Sequence, residues 1–125
     1  MGEENKENKE KVQLEFVPWR GDFTRGIFTS STLETYLSLE SIYAIYETFY
    51  KDNLFVFVSR NTIDLKQVVN TNKCIIHIEK QGNKIAIHSV VDNLLKGAVG
   101  QAVQNMNLIF GIDEAVGLQL KANYF

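Results

Sequence analysis

The residues of this chain that could do chemistry are few: a pair of arginines around a bend, two histidines, one cysteine, and a lysine among glycines. Arg20 and Arg25 stand in PWRGDFTRG (18–26). A guanidinium offers paired N–H groups that match a carboxylate or a phosphate, so both are candidates to hold an anionic ligand; solvated surface arginines would read the same way. His77 and His88 alternate with isoleucines in KCIIHIEK (73–80) and KIAIHSVV (84–91). That spacing is expected to line one sheet face, and two histidines alone do not make a metal site. Cys74 reads as a small buried hydrophobe rather than a reactive thiolate. A lone cysteine forms no internal disulfide and no cysteine-rich zinc site, which suits a reducing compartment.

The sharpest pattern is DNLLKGAVGQAVQNMN (92–107). It reads as a helix, yet each interior glycine costs about 1 kcal/mol relative to alanine. On a wheel of about 100° per residue, Leu95, Ala98, Val99, Ala102, Val103, Met106, Ile109 and Phe110 share one broad side, which is expected to face a sheet. Asn93, Lys96, Gly97, Gly100, Gln101, Gln104 and Asn107 share the other. Both glycines therefore fall on the polar side, where two readings stay open. A second helix or a partner subunit crosses there at close range, or a ligand lies there with amides and Lys96 as donors.

The elements that must position these residues follow from periodicity and turn signals. Residues 1–11, MGEENKENKEK, are nearly all Glu, Lys and Asn and read as a solvated lead-in or a boundary. One domain over 12–125 is expected. VQLEFV (12–17) alternates as a strand, and IFTSSTLETYL (27–37) reads as a second. Ser38 is a plausible N-cap for a helix over 38–52. Its apolar face would hold Leu39, Ile42, Ile45, Tyr46 and Phe49, and its polar face Glu40, Glu47 and Lys51. LFVFV (54–58) is a short strand, and TIDLKQVV (62–69) leans to extended. Gln81-Gly82-Asn83 between the two histidine segments is the best hairpin signal. The C-terminal stretch from Gly111 holds one short turn of helix. The fold class is α+β: a largely antiparallel or mixed sheet with helices on one face. Net charge is −2, which disfavours a nucleic-acid groove. No apolar run approaches the roughly 20 residues that span a bilayer. With no signal peptide visible, a cytoplasmic protein is expected.

The run Val91-Asp92-Asn93-Leu94-Leu95-Lys96-Gly97-Ala98-Val99-Gly100-Gln101-Ala102-Val103-Gln104-Asn105-Met106-Asn107 resembles a signature of N-acetyl-gamma-glutamyl-phosphate reductases. Leu108 to Glu114, Gly117-Leu118, Phe16-Val17-Pro18, Arg25-Gly26-Ile27, Phe49-Tyr50-Lys51-Asp52 and Thr71-Asn72-Lys73-Cys74 continue the likeness, which covers nearly all of the chain after the lead-in. The resemblance implies the fold of the C-terminal catalytic domain of the glyceraldehyde-3-phosphate and aspartate-semialdehyde dehydrogenases. It implies an NADPH-dependent enzyme of arginine biosynthesis that reduces an N-acyl-glutamyl phosphate to the semialdehyde through a cysteine thioester. Arg20 and Arg25 would then bind substrate. Asn93, as a helix cap, with Lys96 and Gly97, would lie at the nicotinamide end of the cofactor.

The family nucleophile lies in a Gly-Cys-Tyr-like motif, and Cys74 is not in that context. Nor does any stretch match the Gly-x-Gly-x-x-Gly dinucleotide fingerprint. Trp19 stands where many members carry a histidine. A later portion of the catalytic and dimerisation domain is therefore expected. It would have no catalytic residue of its own, no activity alone, NADP held mainly by a domain outside it, and a homo-oligomeric parent. The alternative is a stand-alone, non-catalytic dimerisation or interaction module of the same family. Either way, apolar area without a neighbour should make the isolated chain self-associate.

Overall fold

The computed structural model describes residues 13–121. The lead-in at 1–11, Val12 and residues 122–125 lie outside them. In chain order the elements are β1 (Ile27–Glu34), α1 (Leu39–Tyr50), β2 (Val56–Ser59), β3 (Cys74–Gln81), β4 (Lys84–Val91) and α2 (Gly100–Ile109). The strands form one sheet in the order β1-β4-β3-β2. β4 runs antiparallel to β1 and β3, while β2 is parallel to β3. The class is the α+β mixed sheet that the sequence implies. The β3–β4 hairpin turns at Gly82 and Asn83 with Gln81 opposite Lys84, and Gly82 takes a φ of +59°, open to glycine at no steric cost.

α1 begins at its expected cap: Ser38 Oγ accepts from Ser41 N at 3.1 Å. Its buried side, however, is rotated from the expected one. Ile42 and Tyr43 are buried against Ile76, Ile78 and Ile85, with Leu39, Tyr46 and Tyr50 beside them, while Ile45 and Phe49 are exposed. The hydroxyl of Tyr43 explains the rotation. β2 ends at Ser59, opposite His77, so Ile78 has no strand beside it on that side. Tyr43 Oη donates to the Ile78 carbonyl at 2.9 Å and accepts from its amide at 3.3 Å. Backbone groups that would be costly to bury unpaired are thereby satisfied. Glu40 and Glu47 stay outward and clamp Arg60, at 2.9 Å and 3.0 Å.

Three other expectations give way. Residues 13–17 form no strand, and Leu14 and Phe16 are exposed. Alternation supplies a face, but a strand also needs a hydrogen-bonding neighbour, and none of the four strands pairs with this segment. The stretch 62–69 is not extended: Leu65–Gln67 closes into a 3₁₀ turn. Asp64 Oδ1 accepts from Lys66 N at 2.8 Å and Gln67 Oε1 accepts from Asp64 N at 3.1 Å, a reciprocal cap that favours the turn. The third is α2, whose apolar side does not face the sheet. Gly100 and Asn107 are buried, whereas Val99, Met106, Ile109 and Phe110 are exposed, Ile109 by 79 %. A widened π turn, Leu95–Val99, leads into it.

Candidate functional site

Sheet register dictates a junction. Val91 pairs with Ile27 on one side and Cys74 on the other. The residues just beyond these three positions, Arg25 and Gly26, Asn70 and Asn72, and Asp92 and Asn93, are thus gathered at one end of the sheet. Asp92 is the centre of it. Its side chain is 0 % exposed. Oδ2 accepts from Arg25 Nη2 at 2.6 Å and from Asn70 N at 2.7 Å. Oδ1 accepts from Leu94 N at 2.8 Å and Leu95 N at 3.0 Å. Burial alone would raise the carboxyl pKa. The amides of Asn70 and Leu94, the Arg25 side chain and the Leu95 amide outweigh it and hold the group below the usual carboxylate range. A carboxylate so enclosed is a fixed charge, not a proton carrier.

Asp92, not Asn93, therefore caps the turn into α2. Asn93 Oδ1 instead accepts from Gly26 N at 2.8 Å. Gly26 permits this approach with a φ of +111°, and a Cβ there would lie 2.7 Å from the Leu65 side chain. Each of the two helix glycines is explained by a different close contact within the chain. Gly97 N donates to the Asp92 carbonyl at 2.8 Å and Val99 N to the Leu94 carbonyl at 3.0 Å, five residues apart, which widens the turn. A Cβ on Gly97 would stand 3.1 Å from the Asp92 carbonyl oxygen, and one on Gly100 only 1.8 Å from Asn72 Oδ1. The close neighbour at Gly100 is this chain's own loop, neither a second helix nor a ligand.

Amides tie the polar side of α2 and the loop beside it to the C-terminal stretch. Asn72 Nδ2 donates to the Leu118 carbonyl at 2.9 Å, and Asn107 Nδ2 donates to the carbonyls of Glu114 at 3.3 Å and Val116 at 3.0 Å. Lys96 Nζ donates to Gln104 Oε1 at 2.6 Å, and Gln104 Nε2 passes the chain on to Glu114 Oε2 at 2.9 Å. The ammonium also lies 5.3 Å from the centre of the Phe55 ring.

Of the residues singled out from sequence, Arg25, Asn93, Lys96 and Gly97 are brought to this end of the sheet. Arg20 is exposed on the irregular segment before β1 and takes no part in the Asp92 network. Lys96 Nζ and Asn93 Oδ1 are engaged within the chain, and Gly97 sits against a backbone carbonyl. His77 and His88 do face each other across β3 and β4, with rings 6.3 Å apart, and Glu79 lies 3.3 Å from one and 3.9 Å from the other. Among the described residues no group of three or more His, Cys, Asp or Glu side chains could hold a metal. Burial pushes the Cys74 thiol up, with Lys96 pulling the other way, which fits a protonated, unreactive side chain.

Sequence reasoning misses Asp92, although an aspartate between a strand pattern and an apolar helix start is a cap signal. Asn70, Asn72, Gln104 and Glu114 carry no local signal, because each acts through partners that only the fold brings near.

Residues 2–93 match the family described as semialdehyde dehydrogenase, dimerisation domain. The sequence is similar to N-acetyl-gamma-glutamyl-phosphate reductases: 53 % identical over 119 residues in Bacteroides fragilis, 54 % over 118 in Azobacteroides pseudotrichonymphae and 56 % over 115 in Flavobacterium johnsoniae. These alignments cover 95 %, 94 % and 90 % of this chain but only 37 %, 37 % and 35 % of those proteins. The chain thus spans little more than a third of the length of the curated relatives it matches. Among the described residues no helix is long and apolar enough to cross a membrane.

Proposed function

This chain belongs to the semialdehyde dehydrogenase dimerisation-domain family, and from that premise we propose that it is a portion of a cytoplasmic, NADPH-dependent N-acetyl-gamma-glutamyl-phosphate reductase. The observation that carries the proposal is the 53–56 % identity to N-acetyl-gamma-glutamyl-phosphate reductases over 90–95 % of the chain, and the outward apolar side of α2 fits a part that packs on more protein. A helix held by its polar side, with Val99, Met106, Ile109 and Phe110 exposed, is shaped for a surface outside the chain. In the reaction an N-acyl-glutamyl phosphate is reduced to its semialdehyde with release of phosphate, and the nicotinamide supplies the hydride.

The residues present do three things in that scheme. The exposed apolar area contributes the contact with the rest of the enzyme and between subunits. Arg25 offers its guanidinium to an anionic group of the substrate, with the exposed Arg20 as a second cation. Asn93, Lys96 and Gly97 fix the start of α2 beside the cofactor, through the bonds each makes inside the chain.

The test is phosphate-dependent reduction of NADP in the presence of the semialdehyde, by the protein encoded by the complete reading frame that contains this chain. Activity there, with none from the chain alone, is expected. A complete protein that forms oligomers but gives no phosphate-dependent signal would overturn the enzyme assignment in favour of a non-catalytic assembly module.

A further inference from the structure

We propose that Asp92 is a positioning residue for an oxyanion site on Arg25, an inference that rests on the reductase reading above. The Arg25 side chain is 28 % exposed, with Nη2 held by Asp92. Its Nε is buried and has no hydrogen-bond partner among the described residues. A buried guanidinium N–H is costly to leave unpaired, and a fork of guanidinium N–H groups fits the oxygens of a carboxylate or phosphate. The acyl phosphate substrate bears both groups. Asp92 cannot itself meet that ligand, because four donors already occupy its two oxygens and its charge would repel an anion.

Asp92 instead sets direction. Its carboxylate is anchored by Asn70, on the connection from β2 to β3, and by Leu94 and Leu95 at the helix start. The guanidinium is therefore fixed relative to the turn that carries Lys96 and Gly97. The ion pair also cancels most of the local charge. Recognition then depends on where the N–H groups point rather than on net attraction, so losing the aim should matter more than losing a charge.

The test is made in the protein encoded by the complete reading frame, with two readouts. The first is steady-state kinetics in the semialdehyde-oxidising direction. Asp92→Asn is expected to raise one KM by about tenfold or more while kcat stays within about threefold. A rise in the KM for inorganic phosphate assigns the phosphate to Arg25, and a rise in the KM for the semialdehyde assigns the carboxylate. Arg25→Lys should raise the same KM, and the double variant should be no worse than the worse single one.

The second readout is the NMR signal of Arg25 Nε–H, which reports guanidinium placement whether or not the protein is a reductase. Asp92→Asn is expected to shift it. Should that variant fail to fold, Asp92→Glu carries the same two readouts. In an active enzyme, unchanged values of both KM would overturn the proposal whatever the Nε–H signal does, as would fully multiplicative effects in the double variant. An inactive wild-type protein whose Nε–H signal still moves with Asp92 would sink the reductase reading while leaving the positioning role standing.

Discussion

α1 and α2 are both amphipathic, and the fold uses them in opposite senses. α1 lays Ile42 and Tyr43 on the sheet and leaves Glu40 and Glu47 outside. α2 turns Gly100 and Asn107 inward and leaves Ile109 and Phe110 outside. Fully burying one large apolar side chain gains about 1.5–3 kcal/mol, so α2 forgoes several such gains within this chain. What holds it instead is close approach and hydrogen bonding: Asn72 against Gly100, and Asn107 on the carbonyls of Glu114 and Val116. Amphipathicity shows that a helix has a partner surface. It does not say whether that surface belongs to the same chain.

The contrast is broken most forcefully in the core. Ile78→Ala, which empties the site beneath α1, is expected to lower unfolding free energy by about 3 kcal/mol in urea titrations. Ile109→Ala on α2 should cost no more than about 0.5 kcal/mol. Equal losses would mean that the apolar side of α2 is covered within the chain after all. Gly100→Ala sharpens the same contrast from the polar side. Alanine is the better helix former by about 1 kcal/mol, yet its Cβ would collide with Asn72. A net loss of about 2 kcal/mol is expected, and a gain would show that the loop yields freely.

Acid should test the ion-paired start of α2 by a similar margin. Asp92 titrates below the roughly 3.9 of a free aspartate. A lowered folded pKa adds stability above the unfolded value, and that stability is lost as pH falls from about 4 through the folded value. Asp92→Asn is expected to cost about 2 kcal/mol at neutral pH and to flatten this acid limb, read by thermal melts at stepped pH. An acid limb as steep as that of the unsubstituted chain would assign it to other carboxylates.

The sequence shows α1, the hairpin and the sheet class plainly, because caps, the Gln81-Gly82-Asn83 turn and period-two alternation act locally. It also shows that residues 92–107 carry something unusual. What it hides is long-range. The register that sets Val91 beside both Ile27 and Cys74 is what brings Arg25, Asn70 and Asp92 together, and no spacing announces it. Gly100 looks like part of a ligand face because the loop that fills the space beside it, at Asn72, is remote in sequence. Tyr43 displaces Ile45 from the buried side of α1 for a similar reason: the unpaired backbone of Ile78 is visible only once β2 is seen to end early.

The most direct measurement is hydroxyl-radical footprinting of α2, in this chain at high dilution and in the protein encoded by the complete reading frame that contains it. Met106, Ile109 and Phe110 are expected to be labelled freely in the chain and strongly protected in the complete protein, with Tyr43 protected in both. Equal labelling of the three α2 residues in the two proteins would contradict the claim that this helix is built to pack on a surface the chain does not contain.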